Sequence, residues 1–157
     1  MKISLLSVGK TEEKYLKEGI EKYFKRLQHY ISFKLAELPE IKNTKNLTAA
    51  QQKIKEAELL LKHINLQDYV ILLDEKGVEL TSLNFSNFLN KKMTGGVQNL
   101  VFIIGGPYGF DETLYKRANE KISLSKMTFS HQMVRLFFTE QLYRAFTILK
   151  GEPYHHE

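Results

Sequence analysis

The chain has 157 residues, 23 Lys and Arg against 18 Asp and Glu, a formal net charge of +5, and no cysteine. That length suits one domain able to bury a core without staples, and the missing cysteine excludes a disulfide framework, a thiolate metal site and a cysteine nucleophile. The mild basic excess is compatible with a polyanionic partner, and no apolar run is long enough for a bilayer span or a signal peptide, so a soluble cytoplasmic protein is expected.

Lys2–Val8 alternates weakly and predicts a first strand. Gly9-Lys10-Thr11 has the look of the end of a phosphate-binding loop, but that motif needs a glycine where Ser4 stands. Tyr15, Leu16, Ile20, Tyr23, Phe24 and Leu27 recur at helical spacing and predict an amphipathic helix over 11–28. Residues 31–38 read as a second strand closed by Pro39, and 40–46 as a polar loop. Thr48 with Gln51 makes the capping-box pattern T-x-x-Q, opening a helix through Ile54, Ala57, Leu60, Leu61 and Ile64. Residues 69–73 are a third, buried strand running into Asp74-Glu75-Lys76-Gly77. An apolar strand ending in Asp-Glu also looks like a nucleotidase's magnesium strand, a reading that loses its weight without a P-loop. Gly77 more simply turns the chain towards a helix that starts near Ser82 and carries Phe85, Phe88, Leu89 and Met93.

The stretch 100–110, LVFIIGGPYGF, is the one around which the chain is expected to be arranged. Its apolar run, cut off by Gly-Gly-Pro-Tyr-Gly, reads as a strand buried on both faces. Paired glycines permit a tight turn, and they also bare backbone N–H groups to a ligand at the carboxyl end of a strand, where open α/β sheets bind ligands. A short helix capped by Asp111 follows, then a short strand at 122–124 and a loop at 125–129. The last helix, over 130–149, is stopped by Gly151 and Pro153. Strands alternating with helices predict a mostly parallel α/β sheet flanked by helices, as one domain over 1–157 without repeat or linker.

The last helix is apolar over most of its circumference, from Met133, Val134, Leu136, Phe137 and Phe138 to Leu142, Ala145, Phe146, Ile148 and Leu149. Such a helix has to be covered on more than one side, by its own sheet and by core packing or a second subunit. His131 with Arg135, and Glu140 with Arg144, stand four apart and can meet on one face. Glu140 and Arg144 form a common solvated ion pair by spacing, yet Arg144 is also a candidate for gripping a phosphate or a developing negative charge. The tail Pro153-Tyr154-His155-His156-Glu157 sets an aromatic beside a histidine, the types that stack a base and move or stabilise a proton.

Taken together, MKISLLSVGK, VILLDEKG, FIIGGPYGF, SLSKMTFSHQMVRLFFTEQLYRAF and the terminal PYH resemble the ribosomal RNA large subunit methyltransferase H family, the smallest SPOUT methyltransferases. The resemblance covers essentially the whole chain. It implies an α/β SPOUT fold with a C-terminal trefoil knot and a homodimer built on the last helix. The implied reaction is methyl transfer from S-adenosylmethionine to N3 of a pseudouridine in 23S rRNA of the assembled ribosome, with no metal. By position, Leu73, Gly105 and the run Leu124, Ser125, Lys126, Met127, Thr128 and Phe129 are expected to bind the cofactor. Tyr154, His155 and Arg144 are the expected catalytic residues: His155 to handle the proton or anion, Tyr154 to stack or orient the base, and Arg144 to grip phosphate or the anion. Relatives often carry Arg or Lys after PYH, whereas this chain has His156, which makes the charge there dependent on pH. The competing reading is a non-catalytic, nucleotide-responsive RNA-binding protein using the same pocket.

Overall fold

Leu5 stands beside Phe102, and Phe102 beside Ile71, so a row of large apolar side chains crosses three neighbouring strands. In the computed structural model, which describes residues 1–156, the strands are β1 (Lys2–Val8), β2 (Ser32–Leu38), β3 (Tyr69–Glu79), β4 (Asn99–Ile104) and β5 (Glu120–Ser123). They form a parallel sheet in the order β2-β1-β4-β3-β5. β4, the strand of the LVFII run, lies at the centre, and Leu100 to Ile104 are all buried. A continuous apolar run suits a strand covered on both faces.

One face carries Ile3, Leu5, Ile71, Leu100, Phe102 and Ile104. It packs on α1 (Lys14–Leu27), α3 (Ser82–Thr94) and α5 (His131–Leu149) through Leu27, Phe85, Leu89, Phe138, Leu142 and Phe146. Phe102 and Phe138 have ring centroids 4.6 Å apart; burying each such ring contributes about 1.5–3 kcal/mol. The opposite face, with Leu6, Val70, Leu72, Val101 and Ile103, packs on α2 (Ala49–Leu61) and α4 (Glu112–Arg117) through Ala57, Leu60 and Leu114.

The predicted caps form. The Thr48 hydroxyl accepts from the Gln51 N–H at 3.1 Å while the Gln51 side chain accepts from the Thr48 N–H at 2.9 Å. Asp111 caps α4 and Ser130 caps α5. Gly151, at φ +69°, ends the last helix in the left-handed region that glycine favours.

Other boundaries differ from expectation. The first helix starts at Lys14 rather than near residue 11, because the N–H and hydroxyl of Thr11 both donate to Glu37 Oε2 at 2.5 and 2.6 Å and hold that segment extended. The 40–46 loop contains a 3-10 turn at Thr44–Asn46. The last strand ends at Ser123, which leaves Leu124 to the loop. The third strand does not stop at Leu73 and Gly77 does not turn it towards a helix. The strand bulges and continues to Glu79, with Leu73 and Val78 both paired to Ile122. A Cβ on Gly77 would lie 2.6 Å from the backbone of Ile122, so glycine is required there for close approach of two chains.

The spacing lets Arg135 meet His131 on one face of the helix. It is instead buried at 2% exposure, donating to the carbonyls of Val8 and Gly9, the Thr11 hydroxyl and Glu37 at 2.6–3.1 Å. It ties α5 to the carboxyl ends of β1 and β2, the same end of the sheet that carries the cavity described next. Among the described residues no helix is long and apolar enough to cross a membrane.

Candidate active site

A cavity of about 550 Å³ opens at the carboxyl ends of β3, β4 and β5. Three segments wall it: the bulge of β3 after Leu73, the glycine turn after β4, and the loop between β5 and α5. Of the residues expected to bind a cofactor, Leu73, Gly105, Leu124, Ser125, Met127, Thr128 and Phe129 all line it. Lys126 does not; its exposed amine turns towards Glu79, 3.8 Å away.

The turn closes through Gly109 N–H donating to the Gly106 carbonyl at 3.1 Å, with Gly109 at φ +82°. A Cβ on Gly105 would lie 3.3 Å from both Gly109 and the Phe110 ring, so this corner stays bare backbone. The loop is shaped by its own serines: Ser123 donates to the Ser125 carbonyl at 2.9 Å, and Ser125 accepts from the Met127 N–H at 2.9 Å. Met127 and Tyr108 stand at the mouth 75% and 53% exposed. Flat apolar walls beside bare backbone amides suit an adenine-bearing ligand.

The cavity also carries three acidic or histidine side chains outside the expected cofactor set, two of them the Asp-Glu pair that resembles a magnesium strand. Asp74 and Glu75 put carboxylates on the rim, and His131 contributes an imidazole. Asp74 accepts a 2.5 Å hydrogen bond from Tyr115, and burial together with that carboxylate pushes the Tyr115 hydroxyl well above its ordinary value. Burial and the charge of Arg135 push His131 below the usual histidine range, which favours its neutral form. Their other signal was position, just beyond an apolar run or at the start of a helix.

A second cavity, of about 930 Å³, lies across the 124–129 loop and shares Ser123, Leu124, Ser125 and Phe129 as its wall. Arg144 lines this one, with Tyr23, Phe137 and Glu140. The three expected catalytic residues cluster beside it. Arg144 donates to Glu140 at 2.5 Å, and Tyr154 donates to the same carboxylate oxygen at 2.9 Å. The Arg144 guanidinium lies 4.7 Å from the centre of the Tyr154 ring, which also packs edge-on against Tyr143. The hydrogen bond to Glu140 pushes Arg144 still further above neutrality, keeping it cationic. Burial and the bonds to Tyr23 and Glu140 push the Tyr154 hydroxyl up. His155 Nδ1 is 3.2 Å from Arg144.

Tyr154 and His155 do not line the glycine-turn cavity of their own chain. Turn and loop therefore share one cavity, and the tail lies apart from it within one chain. The reason is Glu140, which sequence spacing identified only as a partner of Arg144. Its half-buried carboxylate also holds Tyr154, and with Arg144 it keeps the tail on the second cavity.

A doubly covered parallel sheet with a ligand-sized cavity at a glycine corner defines a nucleotide- or cofactor-using α/β protein, and comparison with known sequences makes the class specific. The family described as "Predicted SPOUT methyltransferase" matches residues 1–155, and the chain belongs to that family. It is 60% identical to the Ribosomal RNA large subunit methyltransferase H of Parabacteroides distasonis over 157 residues, all of both chains. The proteins of the same name from Christiangramia forsetii and Flavobacterium johnsoniae are 60% and 59% identical, over 99% and 100% of each chain.

Proposed function

We propose that this chain methylates N3 of a pseudouridine in 23S rRNA of the assembled ribosome, in the cytoplasm, with S-adenosylmethionine as donor. The observation that carries this reading is the 550 Å³ cavity, walled by a bare glycine turn and the 124–129 loop in a chain of this family. Its size lies within the range of small-molecule sites. Leu73, Gly105, Leu124, Ser125, Met127, Thr128 and Phe129 hold the donor, with Lys126 at the outer edge of the loop. Bound there, S-adenosylmethionine supplies a methyl group made electrophilic by its sulfonium.

The remaining chemistry falls to the tail cluster. The imide N3–H is lost to solvent water, which leaves negative charge spread onto the uracil oxygens, and the bared nitrogen then takes the methyl group as its bond to sulfur breaks. A guanidinium only donates, so His155 accepts from Arg144 at Nδ1, which fixes its proton on Nε2. That tautomer donates to a uracil oxygen and stabilises the anion. Tyr154 orients the base, and Arg144 adds fixed positive charge. Much of the acceleration comes from holding sulfur, methyl and nitrogen in line.

Because the tail sits on the second cavity of its own chain, we infer that it serves the donor site of a second copy. Support comes from Phe137 on α5 and Phe129 in the loop before it, which are 37% and 39% exposed and pack edge to face at the rim of that cavity. A homodimer on this face covers them. We also read the C-terminal part as threaded into a trefoil knot. The support is membership of the SPOUT methyltransferase family over residues 1–155. Mixing a Gly106→Val chain with a chain lacking 153–157 tests the shared site. Activity should return to about a quarter of wild type in the mixture; no recovery would place the tail on its own chain's donor site.

A further inference from the structure

Glu56 lines neither of the two cavities. It lies on the inner side of α2 at 5% exposure, and its Oε1 makes no hydrogen bond among the described residues. Its carboxyl is pressed against the glycine turn: a Cβ on Gly106 would come 2.6 Å from Oε1 and 2.8 Å from Cδ. The carboxyl thus fills the space that any side chain on Gly106 would need. Burial pushes Glu56 above its ordinary value of 4.5, and a hydrogen bond with Gln52 acts in the opposite direction.

A buried carboxyl with an unsatisfied oxygen costs stability, and an apolar side chain of similar size would avoid that cost. Its location behind the one turn that bares backbone to the cavity gives it a role. We propose that Glu56 is a positioning residue for the methyl donor: wedged behind Gly106, its carboxyl holds the 105–109 turn in the shape that presents backbone N–H groups to the cavity. This rests on the cavity being the donor site. As a neutral acid, Glu56 supports the turn from behind. As a carboxylate, it draws the N–H dipoles of the turn towards itself and away from the ligand. Donor affinity therefore falls as pH rises above the ordinary glutamate range, and the stability of the fold moves the same way, since a raised acid pKa favours the folded state only while the proton stays on.

Other titratable groups on the surrounding elements are Lys53 near Asp111, Asp74 with Tyr115, Glu75, Glu112 and His131. They are common to the wild type and a Glu56→Gln variant, so the ratio of the two affinities isolates Glu56. The test is calorimetric titration of the full-length wild type, Glu56→Gln and Glu56→Ala with S-adenosylmethionine from pH 5 to 9. It is paired with amide hydrogen exchange at Gly106 and Gly109 in the absence of donor. Glu56→Gln should bind within about twofold of wild type at the acid end and stay level, while wild type loses about tenfold and Glu56→Ala is about tenfold weaker throughout. Exchange at the turn should quicken with pH more in wild type than in Glu56→Gln. Parallel wild-type and Glu56→Gln profiles, with Glu56→Ala binding normally, would overturn the proposal. If Glu56→Ala does not fold, the wild-type and Glu56→Gln comparison decides. If wild type itself fails to bind, the donor-site reading falls, and the exchange series alone judges Glu56.

Discussion

Arg144 donates to Nδ1 of His155 across 3.2 Å while Glu140, one helical turn away, holds its other terminal nitrogen at 2.5 Å. The guanidinium is thus the hinge between helix and tail, and its planar fork suits it to both partners at once. Lysine keeps the charge and loses the fork. Arg144→Lys should lower single-turnover methylation by about 100-fold, with donor affinity within about twofold of wild type. A matching loss of donor affinity would mean that Arg144 supports the donor cavity rather than the chemistry.

The tail is anchored at two points. Tyr30 donates to Glu152 at 2.6 Å, which pushes its hydroxyl up to about 12, and Tyr154 packs among Tyr23, Tyr143 and Arg144. Removing 153–157 leaves the first anchor and deletes the second. Turnover should be lost while donor affinity persists, with a stability loss of about 1–2 kcal/mol from the missing aromatic contacts. Calorimetry, methylation assay and thermal unfolding read the three quantities. Retained turnover would remove the tail from the mechanism.

Gly105 and Gly106 tolerate no side chain for different reasons. A Cβ on the first meets Gly109 and the Phe110 ring, and on the second it meets Glu56. Valine at either position should weaken donor binding by at least about tenfold, with circular dichroism and thermal unfolding of each variant separating loss of the turn's shape from loss of the fold. Unchanged affinity by calorimetry would place the ligand elsewhere.

Arg135 and Glu37 form an ion pair at 2.6 Å, the guanidinium enclosed and the carboxylate 37% exposed. Removing Glu37 leaves the enclosed guanidinium without its counter-charge, whereas removing Arg135 leaves a carboxylate that water reaches. Arg135→Met should cost about 3 kcal/mol in urea unfolding, through its lost bonds to Val8, Gly9 and Thr11, and Glu37→Gln about 1–2 kcal/mol. Because the two share one network, the double variant should fall short of the sum by about 1–2 kcal/mol. Strict additivity would show that they contribute independently.

The sheet and its helices were legible because their signals are local: the LVFII run, the helical spacing of Leu16, Ile20 and Leu27, and the cap at Thr48. Resemblance pointed to eight residues for the cofactor, and all of these but Lys126 line the glycine-turn cavity. What escaped depends on contacts far apart in sequence. Gly77 reads as a turn until Ile122 is seen against it, and Arg135 reads as one half of an i,i+4 pair until the ends of β1 and β2 enclose it. Glu140 reads as one half of an ordinary i,i+4 pair, and only the tail's return to α5 shows that it also holds Tyr154. The separation of tail and donor cavity had no sequence signal, because it follows from how two cavities share one loop.

Transfer of tritiated methyl from S-adenosylmethionine, compared between assembled ribosomes and free large subunits, is the most direct test of the central claim. The account predicts label in 23S rRNA of assembled ribosomes, at one pseudouridine, lost with the Gly106→Val variant and falling as added salt screens the basic surface. No label in ribosomes under conditions where the donor binds, or label unaffected by Gly106→Val, would contradict it.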